Sequence, residues 1–403
     1  MKKILALICA FFMMFGTVGN ASYTGAQIYN SMQNTMQWLK NNVSPLGGTN
    51  SVAADYYVMA LRRVGEVFEY DKYIDITKSK KPATTRDALR IIMANTASGG
   101  KLNDKFISNA ISDLHTATDI AEAITMILSG EYNTVKINEL AVSLLEKQGE
   151  DGGFDSDILA TAKSMIALSF FSGNCYTVKG DSMGEKYHYD VNSSLLRGAN
   201  YLQNNKNTDF GFGSIQNTAY AVMALDSVGI DADNDPGFSN DNASTFNALM
   251  SYQNTDGSFG DNNDDTAIAV CALVSHLRAM QDNSMFFALR TVDMPYNPND
   301  YIEDLNYSGQ GFKVETQTEI EASLLQSGDN DLPQETPYAI STTAPQDNGI
   351  YNSEHKNVKI ISVLIIVISV VVLTATVVWF VVYMLNIKPI KKYHKKETED
   401  EDD

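Results

Sequence analysis

Between residues 147 and 273, one sequence unit occurs three times. In the clearest copy, residues 252–260 read YQNTDGSFG and residues 266–273 read TAIAVCAL. The other two copies are residues 147–154 with 161–168, and residues 206–213 with 218–225. An internal repeat is stronger evidence for the architecture of a chain than the helix or strand propensity of any single segment. We expect each unit to be a helix, a turn and a second helix.

Residue types inside the unit explain this alternation. Asp151, Asp209 and Asp256 stand where the first helix ends, beside glycines that can adopt the positive φ of a C-terminal cap. The second helix, as in residues 218–225, has apolar residues on nearly every side, which is typical of a helix buried all round. The first helix, as in residues 246–252, is more amphipathic and is predicted to form an outer layer. Stacked helix pairs of this kind become stable only as arrays.

The motif Gln-x-x-Asp-Gly-(Gly/Ser)-Phe, followed by Thr-Ala, resembles the prenyltransferase and squalene-oxidase repeat of the terpenoid-cyclase and protein-prenyltransferase superfamily. The resemblance covers roughly residues 24–280. It is similar in particular to the exported bacterial branch, whose barrel the cobalamin-carrier proteins share. The resemblance implies an all-α fold in which helix pairs form an α/α toroid, here residues 22–283. One fold serves many functions, so the activity must be argued from the site.

Both ends of the chain carry targeting signals. Residues 1–21 contain Lys2 and Lys3, an apolar run and then small residues, which is the pattern of a secretory signal peptide. Residues 360–385 are uncharged and mostly apolar, and as a helix of about 39 Å they could span a bilayer. Five lysines follow, and positive charge stays on the cytoplasmic side. We therefore predict a single-pass protein of a bacterial cell membrane, with its N-terminal domain extracellular and residues 386–403 cytoplasmic.

Composition separates the predicted toroid from the membrane anchor. Residues 284–357 are largely polar and acidic and contain five prolines, which predicts a flexible stalk. The formal charge of −19 falls almost wholly on the exported part and argues against a nucleic-acid partner. Cys175 and Cys271 remain after signal removal, and the sequence leaves open whether they form a disulfide or stay as two idle thiols.

Hydrophobic periodicity places further helices before the strong repeats. It predicts helices over residues 27–42 and 51–64, a further pair from residue 84, and helices over 107–114 and 118–128. Residues 174–190 are polar and contain glycine, so we expect a long loop between two units.

Residues 262–267, NNDDTA, are similar to the Asp-x-Asp-Asp-Thr-Ala motif of class II terpene cyclases, in which the middle Asp protonates an alkene or epoxide. This resemblance would make Asp264 a general acid, kept protonated by the neighbouring carboxylate of Asp265. Asn262 replaces the first Asp of the motif, and those cyclases resemble two barrels where this chain has room for one. Asp265 also stands directly before Thr266, as an N-cap residue would. Catalysis and helix capping both remain open.

Side-chain spacing bears on two metals. The prenyltransferases of the superfamily bind zinc through Asp, Cys and His, but the five histidines here do not cluster and neither mature Cys lies in an Asp-x-Cys setting. Asp231, Asp233 and Asp235 resemble the opening of a calcium loop, since alternating carboxylates can converge on one ion. The Gly that such a loop needs is Pro236, and its bidentate Glu is Asn242. We predict no cofactor and keep the three aspartates as a calcium candidate.

The N-terminal ends of the second helices are expected to gather at one rim of the toroid, where helix dipoles and polar caps face a central cleft. The candidate ligand-binding residues at this rim are Asp119, Asp157, Asn217, Asp264 and Asp265. A small barrel could instead fill its centre with Met, Tyr and Phe side chains, and these residues would then only cap helices.

Three functions are compatible with this sequence. The first is a non-catalytic module that binds an extracellular small molecule, glycan or protein. The second is an exported terpenoid cyclase-like or prenyl-lipid-modifying enzyme that uses Asp264 as a general acid. The third is a structural spacer. An open apolar pocket ending at Asp264 would favour the enzyme, a polar cleft would favour binding, and a filled centre would favour the spacer.

Overall fold

A computed structural model describes residues 22–290, except residue 49 and segments 133–136, 180–185 and 282–283. Helices account for most of the described residues, so the predicted all-α class is confirmed there. Strand in the same residues is limited to one two-stranded hairpin. The predicted signal peptide, transmembrane helix and cytoplasmic tail lie outside the described residues. No helix within them is both long and apolar enough to cross a membrane.

The elements follow one another in a regular order. The helices are α1 (Gly25–Asn42), α2 (Val52–Arg63), α3 (Tyr70–Ser79), α4 (Thr85–Ala97), α5 (Asp104–Ala110), α6 (Ala117–Gly130), α7 (Ile137–Leu145), α8 (Ile158–Ser169), α9 (Val191–Asn205), α10 (Ile215–Ser227), α11 (Thr245–Met250) and α12 (Asn263–Met280). Strands β1 (Cys175–Lys179) and β2 (Lys186–Asp190) lie between α8 and α9, and a 3-10 turn (Pro45–Gly47) follows α1.

The even-numbered helices, which we call the inner helices, form a closed ring. Each of α2, α4, α6, α8 and α10 packs against the next inner helix, and α12 packs against α2. The odd-numbered helices, which we call the outer helices, pack on the ring: α5 on α4, α7 on α6, α9 on α8, α11 on α10, and α1 on α12. Helix α3 also contacts α4. The first helix of the described chain therefore packs on the last one.

Inner helices α2 and α12 run parallel. Asp264, in the first turn of α12, accepts a hydrogen bond from the N–H of Ala53, in the first turn of α2 (3.0 Å). Near the other ends of the same helices, the Arg278 guanidinium donates to the carbonyl of Arg63 (3.0 Å). We call the N-terminal ends of the inner helices the rim and their C-terminal ends the far end.

The three copies of the sequence unit fold into the same turn. In each copy the aspartate Oδ1 accepts the N–H two residues later at 3.0 Å, in Asp151, Asp209 and Asp256. The Phe that follows donates its N–H to the Thr hydroxyl of the next helix, at 2.9, 3.0 and 3.0 Å. The residue after the aspartate has a positive φ, which is 87° at Gly152 and 93° at Gly257. Phe210 takes this left-handed conformation in the middle copy, with a φ of 66°.

Glutamine side chains join the first and the third of these turns to the next outer helix. Gln148 donates to the carbonyl of Ser194 in α9 (2.8 Å) and accepts from the hydroxyl of the same serine (2.5 Å). Gln253 donates to the carbonyl of Ser31 in α1 (3.2 Å) and accepts from its hydroxyl (2.6 Å). We call each of these contacts a joint. The joint between Gln253 and α1, which closes the ring, therefore has the same hydrogen bonds to serine as the joint between Gln148 and α9.

The structure differs from the sequence-based prediction in two elements between the repeats. Residues 174–190 were expected to form a long loop, but most of the segment forms the antiparallel hairpin in which Cys175 lies opposite Asp190. Tyrosine, threonine and valine have high strand propensity, and their presence in these two segments explains the hairpin. Helix α3 was not predicted. The other predicted helices start within three residues of α1, α2, α4, α5 and α6.

The predicted boundary between domain and stalk at residue 283 is also wrong. Residues 284–290, which we call the far-end segment, pack into the core although they were assigned to the stalk. Phe286 and Leu289 are each 1% exposed and Phe287 is 5% exposed. Burial of these three apolar side chains outweighs the polar character of the chain around them.

Candidate functional site

An open cleft of about 700 Å³ lies at the rim. Its walls are residues 262–265 and Ile268 of α12, Val52 of α2 and Gln216 of α10. This volume is within the range of small-molecule sites, roughly 300–1,000 Å³. Most of the lining side chains are amides or carboxylates. The cleft therefore suits a ligand that carries hydrogen-bonding groups.

Local capping explains why these polar residues stand at the rim. Asn262 is the N-cap of α12, because its Oδ1 accepts the N–H of Asp265 at 2.7 Å. Its amide also donates to Asp265 Oδ2 (2.6 Å). Asp265 is therefore the third residue of the helix. The sequence had suggested Asp265 as the N-cap, and that prediction is wrong. A cap side chain reaches the third helical N–H, so the cap lies three residues earlier. Ser214 caps α10 in the same way through Asn217 (3.1 Å).

Asp264, the candidate general acid, is engaged in capping. One of its carboxylate oxygens accepts the N–H of Ala53 in the first turn of the neighbouring α2. That N–H has no partner within its own helix, so Asp264 supplies a cap from outside. The side chain is exposed at the open cleft and does not lie at the base of an apolar pocket.

The other rim candidates do not line this cleft. Asp119 forms an ion pair with Arg86 (2.8 Å) and completes a capping box with Thr116. Burial raises the pKa of Asp119, but the hydrogen bonds from Arg86 and Thr116 outweigh it and hold the pKa below its usual value. Asp157 is the N-cap of α8. The Asn217 amide donates to the carbonyl of Phe212, in the turn that precedes α10 (3.3 Å). The structure thus brings only Asp264 and Asp265 of the five candidates into the rim cleft.

A buried polar group inside the ring was not predicted. Lys163 of α8 pairs with Glu122 of α6 (2.5 Å), and its ammonium lies 4.6 Å from the ring centroid of Tyr220. The Tyr220 hydroxyl shares a 2.5 Å hydrogen bond with that of Tyr56. Burial raises the pKa of Tyr56. A lysine inside the otherwise apolar helix 161–168 was the available sequence signal for this group.

The interior next to this polar group is nearly full. A cavity of about 10 Å³ is bounded by Lys163, Glu122 and Tyr220, with Phe287 of the far-end segment as another wall. Such a space holds one water molecule at most. At this level the ring contains no room for a ligand while Phe287 is in place.

The calcium candidate uses its carboxylates within the protein. Asp231 and Asp235 each accept the N–H two residues later, at 2.8 Å in both cases. Asp233 accepts from the Ser244 hydroxyl (2.6 Å) and from the N–H of Tyr23 (2.7 Å). Within the described residues, no group of three or more acidic, His or Cys side chains is arranged to hold a metal ion. The segment instead connects Tyr23, near the start of the described residues, to the N-terminal end of α11.

His276 forms a second buried charged group, near the calcium candidate. Its Nδ1 lies 2.9 Å from Asp226 Oδ1, and its ring stacks on Phe246 with centroids 4.3 Å apart. Burial lowers the pKa of His276, but attraction to Asp226, reinforced by Asp231 and Asp233, outweighs it and raises the pKa to about 9.

Cys175 and Cys271 are both free thiols. Cys271 is buried in α12, whereas Cys175 is exposed on β1 with its sulfur 3.1 Å from Asp190 Oδ2. Partial desolvation and this carboxylate raise the pKa of the Cys175 thiol to about 12. The open question of a bond between them is thus answered in favour of two unpaired thiols.

Comparison with known proteins does not identify a function, so the function is argued from the geometry of the site. No protein-family model matches the chain, and no curated protein matches it.

Proposed function

We propose that the ring is an α/α toroid of the prenyltransferase and squalene-oxidase repeat type, and that the protein is a non-catalytic binding module on a bacterial cell surface. The closed sequence of inner helix contacts and the shared turn of the three copies support the toroid. The predicted signal peptide, stalk and transmembrane helix 360–385 support display outside the cell membrane.

The rim cleft is the observation that carries the binding function. Its amide and carboxylate side chains offer hydrogen-bond acceptors, and none of its lining residues is a cation. The formal charge of −19 further disfavours an anionic ligand. We infer that the cleft binds a neutral molecule rich in hydroxyl groups, of which an extracellular glycan is the most direct example.

Gln216→Ala tests this assignment. The full-length chain and the variant would be applied to an array of bacterial and host glycans, and any ligand found would be titrated by calorimetry. We expect Gln216→Ala to weaken binding at least tenfold, because a buried hydroxyl of the ligand would lose its partner. Gln203→Ala, on the exposed surface of outer helix α9, is the matched control and should bind as wild type. If Gln216→Ala also binds the ligand as tightly as wild type does, the ligand does not bind in the rim cleft.

The alternative enzyme reading receives no support from the site. A cyclase acid needs an apolar pocket for its alkene substrate, whereas the lining of the rim cleft is polar. Asp264→Asn keeps the oxygen that caps α2 but removes the acid. We expect this variant to bind the ligand more weakly, because the cleft loses a carboxylate acceptor, but the bound molecule to be the same as with wild type by mass spectrometry. A chemically altered ligand only with wild type would establish catalysis instead.

Cell-surface display has its own test. Intact cells of the native host would be treated with a protease and the chain detected with antibodies against residues 22–290 and against the C-terminal tail. We expect loss of the first epitope and survival of the second. Protection of both epitopes would rule out the proposed orientation.

A further inference from the structure

The far-end segment closes the end of the ring opposite the rim cleft, in a part of the molecule that the proposed function does not use. Arg63, at the end of α2, donates to the carbonyls of Ser284 (3.2 Å) and Met285 (2.9 Å). Arg278, near the end of α12, donates to the Ser284 carbonyl and to its hydroxyl, both at 2.8 Å. Two buried guanidinium groups thus hold the first two residues of the segment.

Phe287 extends from this segment into the ring interior. Its side chain bounds the same small cavity as Lys163, Glu122 and Tyr220. If Phe287 withdrew, a space the size of a benzyl group would open beside an ammonium, a carboxylate and a phenol. Burial of Phe286 and Leu289 keeps the segment in place in the described state.

The backbone of the far-end segment is held by short local bonds. The N–H of Ala288 donates to the carbonyl of Met285 (3.0 Å), and that of Leu289 to the carbonyl of Phe287 (2.9 Å). No helix or strand includes residues 284–290. Segments of this kind open locally at lower free energy than packed helices do. Withdrawal of the segment would break these local bonds and the arginine contacts, but no hydrogen bond within an inner helix.

We propose that the far-end segment is a removable plug, and that its withdrawal opens a second binding site, inside the ring, for a small molecule with an aromatic or aliphatic body and one hydroxyl group. The body takes the place of the Phe287 side chain, and the hydroxyl bonds to the Lys163–Glu122 pair. Buried ion pairs contribute little net stability, so this pair at a cavity wall fits a binding role better than a structural one.

Hydrogen exchange of the full-length chain tests the plug, with benzyl alcohol as the probe and glycerol as a polar control. We expect the amides of Ala288 and Leu289 to exchange at least tenfold faster than those in the middle of α12. Benzyl alcohol should speed their exchange further because it binds the open state, while α12 is unaffected and glycerol has no effect. Exchange of the segment together with α12, unchanged by benzyl alcohol, would overturn the proposal.

Variants of the two-arginine clamp give a second test. Arg63→Met removes donors to the plug at similar size, and should raise the affinity for benzyl alcohol at least tenfold because the open state is more populated. Arg62→Met is the matched control, since Arg62 stacks on Tyr70 and should leave the affinity unchanged. If Arg63→Met does not fold, Ser284→Ala removes the hydroxyl that accepts from both Arg63 (2.9 Å) and Arg278 (2.8 Å), and should raise the affinity severalfold. The same affinity in Ser284→Ala and in wild type would contradict the plug.

Discussion

His276 shows how strongly the environment of one side chain can change its chemistry. Asp226, Asp231 and Asp233 all face its imidazole, and the folded pKa of about 9 lies above the ordinary value of 6.5. A raised pKa means that the folded state binds the proton more tightly than the unfolded state does. The resulting stabilisation is complete below pH 6.5 and is lost as the pH rises through 9.

This linkage gives a pH prediction. Between pH 6 and pH 9, we expect the free energy of unfolding of wild type to fall by up to about 3 kcal/mol relative to His276→Gln, which has no proton to lose. Urea unfolding at several pH values would measure both proteins. Parallel pH profiles for the two would show that His276 is not charged in the folded protein.

Capping residues mark the limit of what the sequence could specify for single positions. The Thr and Phe of the repeat were predicted as fixed elements of the unit, and the Thr hydroxyl indeed accepts the Phe N–H in all three copies. The same local pattern suggested Asp265 as a cap where the structure has Asn262. Both residue types cap helices well, and only the three-dimensional reach of the side chain distinguishes the two positions.

Turns and outer helices meet so closely that a single methyl group should disturb them. Gly257 has a φ of 93°, and a Cβ built on it would lie 2.6 Å from the carbonyl oxygen of Asn34 in α1. Gly173 has a φ of 80°, but nothing lies within 4 Å of its Cβ position. We expect Gly257→Ala to cost about 2–4 kcal/mol, and Gly173→Ala only the strain of the left-handed backbone, about 1 kcal/mol.

Thermal or urea unfolding of the two alanine variants would separate strain from steric overlap. Both carry the same substitution at a positive φ, so their difference isolates the contact with α1. An equal loss of stability in both would mean that the turn and α1 are not in close contact in solution.

Some elements were beyond sequence-based prediction because long-range contacts stabilise them. Helix α3 buries only Tyr73 and Thr77, too few to give a periodic pattern. It is held instead by Asp55 of α2, which accepts from the Tyr73 hydroxyl (2.5 Å) and from the ammonium of Lys80 (2.7 Å). Likewise, the rim cleft combines residues from α2, α10 and α12. The repeat predicted Asp264 and Asp265 at the rim, but not Val52 and Gln216, which other helices supply.

The ring as a whole can be tested through its closing joint. Gln253 joins α1 through the carbonyl and the hydroxyl of Ser31, as Gln148 joins α9 through those of Ser194. In a closed ring, Gln253→Ala and Gln148→Ala should each cost about 1–3 kcal/mol, since both leave buried serine groups unpaired. In an open array, by contrast, the loss at the terminal joint would hardly affect global unfolding.

The fluorescence of Trp38 provides a local probe for this comparison. Its indole donates to Asp256 (3.2 Å) across the same joint. We expect the Trp38 transition in urea to coincide with the loss of helix measured by circular dichroism. An earlier Trp38 transition would indicate that the ring opens at this joint before it unfolds.

The packing of α1 on α12 also has a consequence for biosynthesis. The Ser31 and Gln253 side chains that meet in this joint are separated by 222 residues along the chain. A ribosome makes the first helix long before its binding surface exists. Until translation reaches α12, α1 must therefore remain without its final neighbour, and its apolar face is exposed to whatever the nascent chain encounters. Helix α1 gains its packing partner only when α12, the last helix of the described chain, has been made.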